Sequence, residues 1–118
     1  MATLKEELFE LVKVEGVGAA VIVSRDGFVI ESASNGSSLD MDAVGAVVSA
    51  GIGATEVMGN ELHVGAIQQS MVEYEKGIIV AILLGDAATL AIVADLKANL
   101  GNVRYQAKKR TAAIAALL

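Results

Sequence analysis

The chain is 118 residues long, which is enough for one domain with a single core. Hydrophobic residues make up 54% of it but aromatic residues only 3%, so the core must be built from Val, Ile, Leu, Ala and Met side chains. The net charge of −5 argues against nonspecific nucleic-acid binding, and the lack of cysteine excludes disulfides and thiolate chemistry.

The first third of the chain predicts a helix followed by a hairpin. Thr3 and Glu6 have the spacing of a capping box, and apolar residues then recur at helical spacing at Leu4, Leu8, Leu11 and Val12. The run of small and β-branched residues in Val17–Ser24 predicts a strand that is buried on both faces. An Asp-Gly turn at 25–27 leads into a return strand at 28–33.

Residues 39–62 predict one long helix, with Asp40 as its N-cap. Three interior glycines, Gly45, Gly51 and Gly53, each disfavour a helix by about 1 kcal/mol relative to alanine, which indicates compensation by close packing. Two interpretations stay open, because the helix either presses on its own sheet or crosses the same helix of a second copy. Both hold if they use different faces.

The second half predicts three strands and a last helix. Residues 66–74 alternate without a clean apolar face, which is typical of a sheet edge. Apolar strands follow at 78–84 and Ala88–Ala94, and Asp95 is expected to cap a final helix with an inward stripe at Leu96, Leu100, Val103, Ala107, Thr111, Ile114 and Leu118. We therefore predict an α+β fold in the order αββαβββα. A single five-stranded antiparallel sheet is flanked by helices on both faces, in one domain over 1–118.

The order and spacing of these elements resemble the Roadblock/dynein light chain domain family, in the type that regulates prokaryotic Ras-like GTPases. Four stretches carry the resemblance, namely 24–27, the small-residue helix at 46–54, 72–77, and 95–101 with Arg104 following. Family members often have proline directly after the residue equivalent to Asp95, where this chain has Leu96. Both residue types are tolerated at a helix start.

The resemblance implies a fold, a mode of assembly and a partner. In the family the central helices pack together and the third strands can join two sheets, which implies a homodimer or a heterodimer with a paralogue. The interface residues expected on that basis are Ala46, Ser49, Ala50, Gly53, Val57, Ile67, Gln69 and Met71. The resemblance also implies a Ras-like small GTPase as partner and a regulatory or scaffolding role.

The charges are divided unevenly along the chain. All 14 acidic residues lie within 1–95, and 96–118 contains five basic residues and no acid. Lys97, Arg104 and Lys108 are expected to line up one turn apart on the last helix. This basic face is either a solvated surface or a docking site for an acidic partner.

The sequence offers little for catalysis. His63 is the one histidine, and it is expected at the surface or at a helix end, because a zinc site needs three or four ligands and the chain has no cysteine. We therefore expect no enzyme activity, no metal and no cofactor. No signal pattern or membrane-length apolar run is evident, which predicts a cytoplasmic protein without a transmembrane segment. The alternative to a GTPase regulator is a structural or small-ligand-sensing dimerisation module.

Overall fold

The computed structural model describes residues 2–36 and 38–118. Its elements follow the predicted order, with bounds α1 Leu4–Val12, β1 Val17–Ser24, β2 Val29–Ser34, α2 Met41–Glu61, β3 Gln69–Tyr74, β4 Gly77–Leu84, β5 Ala88–Ala94 and α3 Leu100–Ala116. The strands form one sheet in the order β2-β1-β5-β4-β3, and every neighbouring pair is antiparallel. The predicted fold class is confirmed.

Helices cover both faces of this sheet. The α1–α3 face has the larger core, which is contributed by both helices and by alternate strand residues and includes Leu8, Leu11, Ile22, Leu90, Ile92 and Ile114. The opposite α2 face has a smaller core that consists of Val21, Val23, Val48, Ile52, Ala81 and Ala91. β1, β4 and β5 are therefore buried on both sides, as their almost continuous apolar sequences predict.

The first two helices begin where the sequence predicts. The backbone amide of Glu6 donates to Thr3 Oγ1 at 3.2 Å and the amide of Thr3 donates back to Glu6 Oε1 at 3.4 Å, which completes the capping box. The side chain of Asp40 accepts from the amide of Asp42 at 3.0 Å and caps α2. Both starts are therefore fixed by hydrogen bonds between residues two or three positions apart.

The predicted start of the last helix is wrong. Asn99 is the N-cap of α3, because its side chain accepts from the amide of Asn102 at 2.9 Å. Asp95 instead accepts from the amide of Lys97 at 2.8 Å and holds a turn, so its side chain competes with helix formation. Leu96 is consequently 58% exposed and not part of an inward stripe.

Gly16, between α1 and β1, allows the chain to turn close to the segment that precedes α3. Its φ is +88°, and a Cβ atom there would lie 2.6 Å from the backbone nitrogen of Ala98. Only glycine permits this conformation together with so close an approach. The amide of Asp95 also donates to the carbonyl of Gly16 at 2.8 Å, so the entry to α3 is tied to the start of β1.

Candidate self-association surface

The two edge strands of the sheet differ in how they are covered. On β2, Lys5 Nζ donates to the carbonyl of Ser32 at 2.6 Å, and the amide of Ser32 donates to the carboxylate of Glu31 at 3.0 Å. Lys5 Nζ also lies 3.6 Å from Glu31 Oε1, and this ion pair helps to hold the lysine side chain over β2. Charged side chains on an edge strand prevent another strand from pairing with it. The β2 edge is therefore blocked at its centre.

The edge formed by β3 is bare. The amide of Leu83 donates to the carbonyl of Gln68 at 3.1 Å, and antiparallel ladders alternate, so the backbone groups of Gln69, Met71 and Glu73 point away from β4. Within 2–36 and 38–118, no side chain forms a hydrogen bond with these outward groups. Three amides and three carbonyls are thus available to pair with another strand.

The position of α2 leaves part of its face of the sheet open. The helix buries Gly45, Val48 and Ile52 over β1 and the adjoining part of β2. A Cβ on Gly45 would lie 2.9 Å from a methyl group of Val29, so glycine permits the helix to lie this close to the sheet. In the outer half of the sheet, which is formed by β3 and β4, this cover reaches Ala81 of β4, whereas Val72 and Tyr74 of β3 are 45% and 53% exposed on the same face.

A groove lies between α2 and this outer half of the sheet, and we call it the α2 groove. It has a volume of about 220 Å³ and is lined by Val47, Val48, Gly51, Ile52, Thr55, Ser70, Val72, Tyr74, Ile79 and Ala81. Val47 is 65% exposed, and Tyr74 on the opposite wall is 53% exposed. A contiguous apolar surface of this kind, beside a bare strand edge, is typical of a protein contact site.

The composition of α2 supports the same conclusion. Within the described residues, Met41–Glu61 is the one helix that is long and apolar enough to cross a membrane, judged by length and composition alone. Its apolar window has a mean hydropathy of 1.3, but only 11% of it is buried. The exposed part of this helix includes Val47 and Gly51 of the α2 groove, whereas its other side packs on the sheet and carries the ion pair of Glu56.

The other side of α2 is fixed to the β1–β2 hairpin. The guanidinium of Arg25 bonds both carboxylate oxygens of Glu56, at 2.7 and 2.9 Å, and Ser49 Oγ donates to the carbonyl of Arg25 at 2.7 Å. Both bonds to Glu56 come from the one nitrogen Nη2, so this contact is a charge-assisted link between helix and hairpin made by a single donor atom. The helix is therefore positioned from the hairpin side, while the side that lines the α2 groove remains open.

The comparisons with known proteins place the chain in a family. A sequence profile of the Roadblock/LC7 domain matches residues 4–94. An uncharacterized protein of Methanocaldococcus jannaschii is 37% identical over 110 residues, which cover 93% of this chain and 95% of that protein. The chain belongs to the Roadblock/LC7 domain family. Two further uncharacterized proteins of the same organism are 37% and 34% identical over equal lengths.

Solved Roadblock/LC7 structures share the fold. One described as MglB with a tetrameric arrangement aligns with a TM-score of 0.89 at 24% identity, covering 95% of this chain and 85% of that chain. The Roadblock/LC7 domain from Streptomyces avermitilis aligns with a TM-score of 0.86 at 22% identity, covering 96% and 95%. The resemblance inferred from the sequence is thereby confirmed.

The interface residues expected from the sequence lie on several parts of this Roadblock/LC7 domain. Ala46, Ala50, Gly53 and Val57 are exposed on α2, whereas Ser49 is half-buried and bonded to the hairpin. Ile67 packs against the core of the α2 face, and Gln69 and Met71 lie on the bare edge. Their role in self-association stays a prediction.

Sequence reasoning missed the residues that line the helix side of the groove. Val47 and Gly51 are exposed on α2 one turn apart, separate from the buried stripe of Val48 and Ile52. The spacing of these two sets is the signal that would have revealed them, because the residues of each set lie four positions apart. Only the crossing of α2 over the sheet shows which stripe borders the groove.

The three basic residues considered for docking do not form one row. Lys97 precedes α3, so its expected alignment with Arg104 and Lys108 is wrong, because the helix begins later than predicted. Arg104 is half-buried and Lys108 is exposed, and neither makes an ion pair with the described part of the chain. Lys108 instead borders a second groove of about 420 Å³, here called the edge groove, that is lined by Gln68, Gln69, Ile82, Leu83, Lys108 and Thr111.

Proposed function

We infer that this chain is a non-enzymatic module that pairs with a second copy of itself, or with a paralogue, through β3 and α2. We further infer that the pair binds a Ras-like small GTPase as a regulator or scaffold. The observation that carries the first part is the contrast between the blocked edge at Ser32 and the bare edge of β3. Membership of the Roadblock/LC7 family supports the second part.

Joining two copies along β3 would cover both the bare edge of β3 and the α2 groove. The outward backbone groups of the two strands would pair, and the two sheets would become one of ten strands. A two-fold axis perpendicular to the sheet keeps both α2 helices on the same face. Each α2 would then cover the groove beside the other, which removes the apolar walls around Val47 and Tyr74 from water. The tetrameric arrangement described for the structurally similar MglB supports self-association of this domain.

The regulatory part follows from the kind of surface that pairing creates. Two α2 helices side by side would present one continuous surface, formed by elements that are already folded in each protomer. The ion pair between Arg25 and Glu56 links each helix to its own hairpin. A preorganised surface of this type binds a globular protein with little ordering entropy.

The test has two stages with separate outcomes. Sedimentation equilibrium of the purified chain at micromolar concentration should show a dimer, and a persistent monomer would contradict self-association. Titration with a Ras-like GTPase of the same cell, loaded with GDP or a nonhydrolysable GTP analogue, should show saturable binding that depends on the nucleotide. A dimer that binds no such GTPase in either state would leave the assembly intact and remove the proposed partner.

A further inference from the structure

We propose that two copies pair in one register, with Met71 on the two-fold axis, and that Glu73 of each copy forms an ion pair with Lys108 of the partner subunit. The proposal rests on the self-association inferred above and adds the residues that select the partner. Its occupant for the bare edge is a second copy of this chain.

The number of available hydrogen bonds favours this register. Within Gln69–Tyr74 the outward backbone groups belong to Gln69, Met71 and Glu73. A two-fold pairing centred on Met71 places Gln69 opposite the partner's Glu73 and each Met71 opposite its copy, so all three outward residues exchange bonds. Centring the pairing on Ser70 or Val72 leaves one outward residue of each strand without a partner.

Repulsion between carboxylates disfavours a register centred closer to the β3–β4 turn, at Glu73. A pairing centred on Glu73 would place two carboxylates directly opposite each other, and like charges in that arrangement destabilise a strand pair. It would also pair only one outward residue within the strand. The register centred on Met71 instead separates the two Glu73 side chains and places each opposite a neutral Gln69.

The partner's Glu73 then reaches the edge groove. Gln69, Met71 and Glu73 lie opposite Ile82, Val80 and Ile78, which are in the core of the α1–α3 face, so their side chains point to that face. Residues opposite each other in an antiparallel pair share a face, so the partner's Glu73 would lie beside Gln69. Gln69 and Lys108 line the same groove.

Two features of the edge groove match a carboxylate. Lys108 is exposed and makes no ion pair within residues 2–36 and 38–118. Gln69 is half-buried in the same groove, and its side-chain amide has N–H groups that can donate to a carboxylate. The groove thus offers one cation and one amide to an incoming acid.

This pairing would also discriminate between related chains. Methanocaldococcus jannaschii has three relatives of similar length, so one organism can have several chains of this family. Hydrogen bonds between backbones do not depend on the side chains. The ion pair between Glu73 and Lys108, which occurs twice in the dimer, favours a partner with the same two residues. A paralogue with a reversed charge at either position would be repelled.

Charge reversal tests this directly. Glu73→Lys places two lysines opposite each other twice in the dimer, and Lys108→Glu places two carboxylates opposite each other twice. Each single variant should raise the dimer Kd at least tenfold, as an order-of-magnitude estimate for two disrupted pairs. An equimolar mixture of the two variants restores both attractive pairs, so it should form a heterodimer with an affinity close to that of the wild type. The double variant should also dimerise like the wild type.

Matched controls separate the pair from net charge. Glu75→Lys and Lys109→Glu make the same charge changes at exposed neighbouring positions and should leave the dimer Kd within about threefold. Single variants that dimerise like the wild type, or a mixture that is no tighter than its components, would overturn the proposed pair while leaving self-association in place. A monomeric wild-type chain would overturn both.

Discussion

A proline at the centre of the bare edge separates assembly from folding. The backbone amide of Met71 points away from β4, so Met71→Pro removes no hydrogen bond inside the protomer. Proline is tolerated on edge strands where the amide faces outward. In the proposed dimer the two Met71 residues exchange two of six inter-subunit bonds. At about 0.5–1.5 kcal/mol net for each bond, their loss costs about 1–3 kcal/mol, which raises the dimer Kd about 5- to 150-fold.

The neighbouring residue supplies the control. Val72 lies opposite Ile79, and its backbone groups point towards β4, so its amide is hydrogen-bonded within the protomer. Val72→Pro should therefore destabilise the protomer itself by about 1–3 kcal/mol, because it removes a ladder hydrogen bond and leaves the carbonyl of Ile79 unpaired. Sedimentation equilibrium gives the Kd, and urea unfolding at high dilution gives protomer stability. If Met71→Pro dimerises like the wild type, the edge of β3 is not the contact.

Three further predictions use other parts of the chain. A Cβ at Gly51 or at Gly53 would meet no atom within 4 Å, so both positions accept a side chain within the protomer. Gly51→Glu should weaken the dimer because it places a charge in the α2 groove, whereas Gly53→Glu should not. If sedimentation shows the reverse, the contact uses the side of α2 that contains Ala46, Ala50 and Gly53. His63 has a φ of +55°, so His63→Gly should raise the free energy of unfolding by about 0.5–1 kcal/mol, and an unchanged urea midpoint would refute the strain. A side-chain hydrogen bond from Lys13, and then its charge, lowers the pKa of Glu10 below 4.5, so this contribution to stability is present above pH 4.5 and is lost as pH falls through the lowered pKa. Lys13→Ala should return that pKa towards 4.5 in an NMR titration, and no change would contradict the assigned cause.

Much of the fold follows from signals within a few residues of each other. The capping box at Thr3, the cap at Asp40 and the continuous apolar strands were all predicted from the sequence, because each depends on local hydrogen bonding or on burial of one segment. The start of α3 was not predicted correctly, because Asp95 and Asn99 are both favourable N-cap residues. The contacts of Gly16 with Asp95 and Ala98, which form only in the folded chain, accompany the turn at 95–98 that leaves Asn99 as the cap.

The candidate surface was only partly predictable for a related reason. The pattern of 66–74 correctly indicated an edge strand, yet β2 is an edge as well. Their difference arises from Lys5, which lies 27 residues before Ser32 and reaches it only in the folded chain. The α2 groove likewise depends on where the helix crosses the sheet. The helix sequence alone therefore indicates a contact face without fixing which stripe borders the groove.

The most direct measurement of the central claim is residue-resolved amide hydrogen exchange of β3 at several protein concentrations. Ser70, Val72 and Tyr74 are bonded within the protomer and should be protected at every concentration. The amides of Gln69, Met71 and Glu73 should exchange freely at high dilution and become protected as the dimer forms. Fast exchange of these three amides at concentrations where the chain is dimeric would show that the copies meet elsewhere.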